Sequence, residues 1–307
     1  MSSERQPRYP LPVRQESLRN RRMQVPVVPS FVARGATVPA FIYGTAWKEQ
    51  RTAELTGRAL EAGFRGFDTA NQRRHYLEAG VGEAVAAFIA AGRVKREELF
   101  LQTKFTFAAG QDHRLPYDPR APVAEQVQQS FSSSLEHLRT GKLDSYVLHG
   151  PSRARGLGAE DWEAWRAMEA LCGEGKVTSL GISNVNAEQL QLLLRGCRVA
   201  PAFVQNRCYA SAGWGANVRL VCQANGIVYQ GFSLLTGNHA ELHDPRLTRI
   251  ARDLGRSVAQ VVFRFATQVG MIPLTGSSNS EHLREDVACF GFELTPQHIE
   301  LIESISN

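Results

Sequence analysis

The 307-residue sequence lacks the cysteine patterns of disulfide-stapled and zinc-binding proteins. None of its five cysteines forms a C-x-x-C pair or lies beside histidines at zinc-ligand spacing. They are Cys172, Cys197, Cys208, Cys222 and Cys289. An odd and scattered set predicts reduced thiols, a cytoplasmic location and no metal site.

Long apolar runs are also missing. No stretch approaches the ~18 consecutive apolar residues of a membrane span, and no apolar signal-peptide core follows Met1. After residue 30, the sequence has no Lys/Arg-rich block with interleaved aromatic residues. We therefore predict that neither membranes nor nucleic acids are partners of this protein.

The remaining composition is that of a globular protein, with 43% hydrophobic residues, 21% charged residues and a net charge of +5. Residues 1–28 hold six arginines and two glutamates and show no helical periodicity. We interpret them as a basic, Pro/Arg-rich extension, disordered or draped, with an organellar targeting segment as the alternative. Residues 29–307 contain no linker, which predicts one domain.

Strand-like and helix-like stretches alternate eight times after residue 28. The predicted strands are 38–45, 64–69, 99–104, 145–150, 177–183, 202–206, 227–233 and 271–276. The predicted helices are 52–63, 80–92, 124–140, 160–175, 187–197, 216–226, 246–255 with 257–270, and 281–290. This alternation predicts an α/β fold, a single (β/α)8 TIM barrel.

Two further elements complete the predicted fold. Segments 31–33 and 38–41 are expected to form an N-terminal β-hairpin over the bottom of the barrel, and 294–305 a short C-terminal helix. An open doubly wound sheet is the competing fold, but the G-x-G-x-x-G run that usually follows its first strand is absent.

Three residues of catalytic type, Asp68, Lys104 and His149, end short apolar runs of β character. Because successive strand ends of a parallel barrel converge, these side chains are expected to meet at one face. With Tyr76 they would form a proton-donor site, in which the lysine ammonium lowers the pKa of the tyrosine and the histidine orients a carbonyl oxygen. Each residue alone has a structural explanation, but the four together favour the site.

Six segments resemble the aldo-keto reductases. They are GFRGFDTA (63–70), VGEAV (81–85), VKREELFLQTK (94–104), LDSYVLHGP (143–151), GKVTSLGISN (175–184) and GSS (276–278). The resemblance implies an NAD(P)H-dependent carbonyl reductase on a (β/α)8 barrel. It also implies an Asp-Tyr-Lys-His tetrad, which falls here on Asp68, Tyr76, Lys104 and His149.

The tyrosine spacing departs from the family pattern Asp-Thr-Ala-x-x-Tyr-x-x-Glu. Arg73 stands at the tyrosine position, and Tyr76 follows three residues later. We predict a lengthened loop over 71–76 that still delivers Tyr76 to the site. Two alternatives stay open: a non-catalytic dinucleotide-binding regulatory subunit, if the loop turns Tyr76 away, and a barrel lyase with Lys104 as a Schiff base.

The resemblance further implies a nicotinamide cofactor, NADPH with NADH possible, because Leu274 replaces the family lysine that contacts the 2′-phosphate. At the nicotinamide, the implied contacts are Gly44, Thr45, Ala46, Ser183, Asn184, Gln205 and the stacked ring of Phe232. Further along the cofactor, they are Ser233, Leu235, Thr275, Gly276, Ser277, Ser278, His282 and Asp286.

A long loop over 105–122 follows the third predicted strand, where long loops are usually functional. Phe105, Phe107 and Trp47 are predicted to form the apolar wall of a pocket for a small aldehyde or ketone. The chain ends soon after the last predicted helix, which predicts an open pocket with weak selectivity. We expect a monomer or a weak homodimer.

Overall fold

The computed structural model describes residues 27–305, so nearly all of the predicted extension 1–28 lies outside the described residues. In chain order the strands are β1 (Ser30–Ala33), β2 (Ala36–Pro39), β3 (Ile42–Gly44), β4 (Gly66–Asp68), β5 (Phe100–Phe105), β6 (Leu143–Leu148), β7 (Val177–Ser183), β8 (Phe203–Arg207), β9 (Val228–Phe232) and β10 (Met271–Thr275). Strands β3 to β10 are parallel and close into a barrel in which β10 pairs with both β9 and β3. The predicted (β/α)8 barrel is confirmed.

Helices alternate with the barrel strands. They are α1 (Thr52–Ala62), α2 (Glu78–Ala90), α3 (Val123–Leu138), α4 (Ala159–Gly173), α5 (Ala187–Gly196), α6 (Ala216–Ala224), α7 (Pro245–Asp253), α8 (Val258–Gln268), α9 (Ser280–Val287) and α10 (Pro296–Glu303). Gly63 follows the last residue of α1 as its C-cap. Its φ of 107° turns the chain toward β4, while its N–H still donates to the carbonyls of Ala59 and Leu60 in the helix. None of the helices in residues 27–305 combines the length and apolar character that crossing a bilayer requires.

The two remaining strands, β1 and β2, form the predicted hairpin. Arg34 and Gly35 make its two-residue turn with φ angles of 44° and 84°, the positive pair that matches the twist of a hairpin. Its inner face packs against the first residues of several barrel strands, including Phe100 and Phe203. The hairpin therefore covers the N-terminal end of the barrel, as predicted.

The predicted first barrel strand, 38–45, was too long. The structure divides it between β2 and β3, because the Ala40 N–H donates to Pro29 O and holds the chain with the hairpin up to that point. After Ala40 the chain changes direction and enters the barrel at Ile42.

The opposite, C-terminal end of the barrel gathers the polar strand ends. Asp68, Ser183, Arg207, Phe232 and Thr275 are the last residues of their strands. His149 directly follows β6, and Lys104 is the penultimate residue of β5. Active sites of such barrels form at this end.

Candidate active site

A cavity of about 980 Å³ opens at the C-terminal end of the barrel, at the upper end of the usual size range of ligand pockets. Most of the predicted site residues line it: Gly44, Ala46, Trp47, Asp68, Tyr76, Phe107, His149, Ser183, Asn184, Gln205, Phe232, Ser233, Leu235, Thr275, Gly276, Ser277, His282 and Asp286. The structure thus brings the candidate catalytic and cofactor-binding residues to one cavity. Their roles stay predictions.

Lys104, fully buried beneath the cavity, forms an ion pair with Asp68 in the cavity wall. Lys104 Nζ donates to Asp68 Oδ2 at 2.6 Å, to Asp68 Oδ1 at 2.8 Å and to Thr69 O at 2.8 Å. The same carboxylate accepts the side-chain amides of Gln102 at 2.7 Å and Gln205 at 2.9 Å. Burial lowers the pKa of Lys104, and the Asp68 carboxylate opposes that shift. Because Lys104 Nζ has three acceptors, each proton of the ammonium group is bonded and the side chain is held in one position.

The loop over 71–76 delivers Tyr76 to this ion pair. Gln72 O accepts the N–H groups of His75 at 3.1 Å and Tyr76 at 3.0 Å, which closes a tight turn, and Arg73 Nη1 donates to Tyr76 O at 3.0 Å. The Tyr76 ring then lies with its centroid 5.1 Å from Lys104 Nζ. The three additional residues are absorbed in the turn, and the tyrosine faces the cavity.

The pKa of Tyr76 differs from the sequence-based expectation. Burial raises the pKa of its phenol above the ordinary value, and the charge of Asp68 adds to the effect. The Lys104 ammonium is paired with Asp68, so its charge does not outweigh these two effects. The phenol therefore holds its proton at neutral pH.

His149 stands beside Tyr76, with their ring centroids 6.0 Å apart. Burial, together with the charge of Lys104, lowers the pKa of His149 well below 6.5, so the ring is neutral. Its Nδ1 lies 2.7 Å from Thr106 Oγ1. With the hydroxyl as donor, the neutral ring carries its proton on Nε2, which can donate to an oxygen in the cavity.

Strands β7 and β8 supply the three predicted amide and hydroxyl contacts. Ser183 Oγ donates to Gln205 O at 2.6 Å, and Asn184 Nδ2 donates to His149 O at 2.7 Å. Asn184 and Ser233 have φ angles of 54° and 57°, in the left-handed region that non-glycine residues seldom adopt. Such backbone strain is concentrated at functional sites.

The loop after β10 is closely packed. A Cβ at Gly276 would lie 3.3 Å from Gly44 O and 3.4 Å from Lys48 Nζ, so only glycine fits without displacement. Thr275 Oγ1 donates to Asp286 Oδ2 at 2.8 Å. Burial raises the pKa of Asp286 to about 7, so this carboxyl group titrates near neutrality.

Four predicted residues do not line the cavity. The Phe105 side chain is fully buried and packs behind Phe107, with ring centroids 5.2 Å apart, so the predicted place for Phe105 in the substrate wall is wrong. Thr45 is also buried, and its Oγ1 donates to Asp68 O at 2.9 Å. Ser278 lies outside the cavity wall, and Lys104 lies beneath it.

Sequence reasoning missed several polar cavity residues. Lys48 Nζ donates to Gly276 O across the cavity, and Arg207 closes β8 at the cavity wall. His75 Nδ1 donates to Gln72 Oε1 at 2.8 Å, and the Trp47 ring stacks on His75 with centroids 4.0 Å apart. Arg207 lies at the end of β8 and Lys48 shortly after β3, a signal available in the sequence, whereas His75 lies well inside the loop that follows β4.

Comparison with known proteins gives relatives along almost the whole described chain. The model of the Aldo/keto reductase family matches residues 40–307. The uncharacterized oxidoreductase YtbE of Bacillus subtilis is 30% identical over 89% of this chain and 90% of its own. The aldo/keto reductase of Brucella melitensis superposes with a TM-score of 0.77 at 27% identity, covering 91% of this chain and 100% of that one. A Bombyx mori aldo-keto reductase solved in complex with NADP also has a TM-score of 0.77, at 26% identity, covering 91% and 93%. This chain belongs to the aldo-keto reductase family.

Proposed function

We propose that this protein reduces small aldehydes or ketones to alcohols, with NADPH as the hydride donor. The proposal rests on one observation: Tyr76 and His149 line the same cavity, and Lys104 Nζ lies 5.1 Å from the centroid of the Tyr76 ring. In the net reaction the carbonyl carbon gains a hydride, the oxygen gains a proton, and NADPH becomes NADP⁺.

Tyr76 is the proposed proton donor. Its raised pKa keeps the phenol protonated in the resting enzyme, and Lys104 Nζ, 5.1 Å from the ring centroid, would stabilise the phenolate left after transfer. His149 Nε2 would hold the carbonyl oxygen by a hydrogen bond from the other side. A positioned proton donor of this kind accelerates a reaction by roughly 10²–10⁴-fold.

The strand-end residues fit a nicotinamide dinucleotide. Ser183, Asn184 and Gln205 present a hydroxyl and two amides to the cavity, and Phe232 presents an aromatic face. The tight Gly276 loop offers backbone N–H groups for phosphate oxygens. When bound, the reduced nicotinamide would supply the hydride. Relatives solved with NADP and NADPH support NADPH over NADH, although Leu274 stands in place of the family lysine.

The two alternative functions are less compatible with this geometry. A lyase needs a free amine, whereas every proton of Lys104 has an acceptor and the side chain is inaccessible. A regulatory subunit without catalysis would have Tyr76 turned away from Lys104, whereas Tyr76 lines the cavity. The geometry therefore favours a carbonyl reductase over either alternative.

The other sequence-based expectations remain proposals. They are a basic extension over residues 1–28, a single catalytic domain over 29–307, a cytoplasmic location, and a monomer or weak homodimer.

The test is oxidation of NADPH and NADH with a panel of aldehydes, for the wild type and Tyr76→Phe. We expect turnover with NADPH and a loss of roughly 10²-fold or more in kcat for Tyr76→Phe, because the variant has no proton to donate. The control is Tyr209→Phe, which removes a hydroxyl from an exposed tyrosine outside the cavity wall and should keep full activity.

Binding measurements separate chemistry from assembly of the site. Tyr76→Phe should still bind NADPH as the wild type does. Full turnover by this variant would show that Tyr76 is not the acid, and equal rates with NADH would contradict the preference for NADPH.

A further inference from the structure

Arg207 presents a positive charge to the cavity next to the proposed nicotinamide site. It lies two residues after Gln205 on β8, so both side chains point to the same side of the strand, toward the cavity. The intervening Asn206 points away, and its amide bonds to the backbone of Val185 at 2.7 and 3.0 Å.

The guanidinium of Arg207 lies against two aromatic rings. Its central carbon is 5.5 Å from the centroid of Phe232 and 6.0 Å from that of Tyr209. Arg207 and Phe232 are also register partners on β8 and β9. Within residues 27–305, no carboxylate lies within salt-bridge distance of Arg207, so no acidic group there neutralises its charge.

Phe232 is the ring on which the proposed function stacks the nicotinamide. A stacked ring lies with its centroid roughly 4.5–7 Å from its partner, which places the nicotinamide at most about 12 Å from the guanidinium. Oxidised nicotinamide carries one positive charge, and reduced nicotinamide carries none. The rest of the dinucleotide, including its phosphates, is the same in both forms.

We infer that Arg207 makes this site discriminate between the two redox forms of its cofactor, weakening NADP⁺ relative to NADPH. The inference rests on the proposed function, because it needs a dinucleotide with its nicotinamide on Phe232. Repulsion between two like charges at this separation, partly screened because Arg207 is exposed, corresponds to about a three- to tenfold difference in affinity. In the direction of carbonyl reduction, Arg207 would promote release of the oxidised product.

The experiment measures the dissociation constants of NADP⁺ and NADPH by isothermal titration calorimetry for the wild type, Arg207→Gln and Arg207→Lys. The ratio Kd(NADP⁺)/Kd(NADPH) should fall about three- to tenfold in Arg207→Gln and stay near the wild-type value in Arg207→Lys. Higher salt should shrink the difference between wild type and Arg207→Gln. Arg249→Gln is the matched control, because it removes the same charge from the exposed face of α7 outside the cavity wall and should leave the ratio unchanged.

Three other results would overturn the inference. If the ratio is unchanged in Arg207→Gln, the charge does not act on the nicotinamide. If both dissociation constants rise by one factor, Arg207 either binds a phosphate or only supports Phe232, since neither role distinguishes the redox forms. If the wild type binds neither nucleotide, the proposed reductase is itself wrong and the inference falls with it.

Discussion

Asp286 is a buried carboxyl group at the cavity wall whose pKa is raised from 3.8 to about 7. A group with a raised folded pKa contributes stability below its unfolded pKa, and that contribution is lost as the pH rises through the folded pKa. The wild type should therefore lose stability between about pH 4 and pH 7 on account of Asp286. The pKa shift of Asp286 corresponds to a loss of at most about 4 kcal/mol in the free energy of unfolding.

Asp286→Asn removes this titration and keeps an oxygen that can accept from Thr275. We expect the variant to gain stability relative to the wild type as the pH rises from 4 to 8, measured by urea denaturation at each pH. A difference that is constant over this range would contradict the assignment.

For single residues, the sequence identified the candidate catalytic side chains but not the surroundings of each one. Asp68, Lys104 and His149 could be found from the sequence because each lies at or next to the end of an apolar strand. The direction of the Tyr76 pKa shift was not, because it depends on burial and on which partner already neutralises Lys104. Phe105 and Phe107 lie two residues apart, and only the structure separates the fully buried ring from the half-buried ring that lines the cavity.

Among the elements, the loop over 71–76 most directly determines whether the site functions. Gln72 fixes it, since its Nε2 donates to Gly110 O at 2.6 Å and its Oε1 accepts from His75 at 2.8 Å. We expect Gln72→Ala to lower kcat about tenfold by loosening Tyr76, with about 1–2 kcal/mol lost from the free energy of unfolding.

Gln129→Ala serves as the control, because Gln129 also makes two side-chain hydrogen bonds but lies on the exposed face of α3. It should leave kcat unchanged. Should Gln72→Ala keep wild-type kcat, the loop does not depend on this residue to place the tyrosine.

Sequence periodicity located the eight barrel strands and their helices because each strand is a buried apolar run followed by an amphipathic stretch. It failed at 38–45, where a single apolar run serves two structures, the hairpin and the barrel. The division is set by the bond from the Ala40 N–H to Pro29 O, a contact that no local pattern encodes.

In the whole molecule, the hairpin covers the N-terminal end of the barrel and the cavity occupies the C-terminal end. We expect the first to affect stability and the second to affect activity. Val38 on the inner face of the hairpin is fully buried, whereas Val32 on the same hairpin is 72% exposed. We expect Val38→Ala to cost about 1–2 kcal/mol in chemical denaturation and Val32→Ala almost nothing, with kcat/KM unchanged in both. A kinetic defect in Val38→Ala would show that the two ends are coupled.

The hairpin is also tied to a distant part of the chain. Arg34 at its turn donates to the backbone carbonyls of Asn225 and Gly226, 191 and 192 residues later. Its buried residues belong to one apolar cluster with Ile272 of β10. During synthesis, the apolar face of the hairpin therefore stays partly uncovered until β10, which comes late in the chain, has left the ribosome. Closure of the barrel and packing of the hairpin against its N-terminal end therefore occur together, late in folding, once β10 has been made.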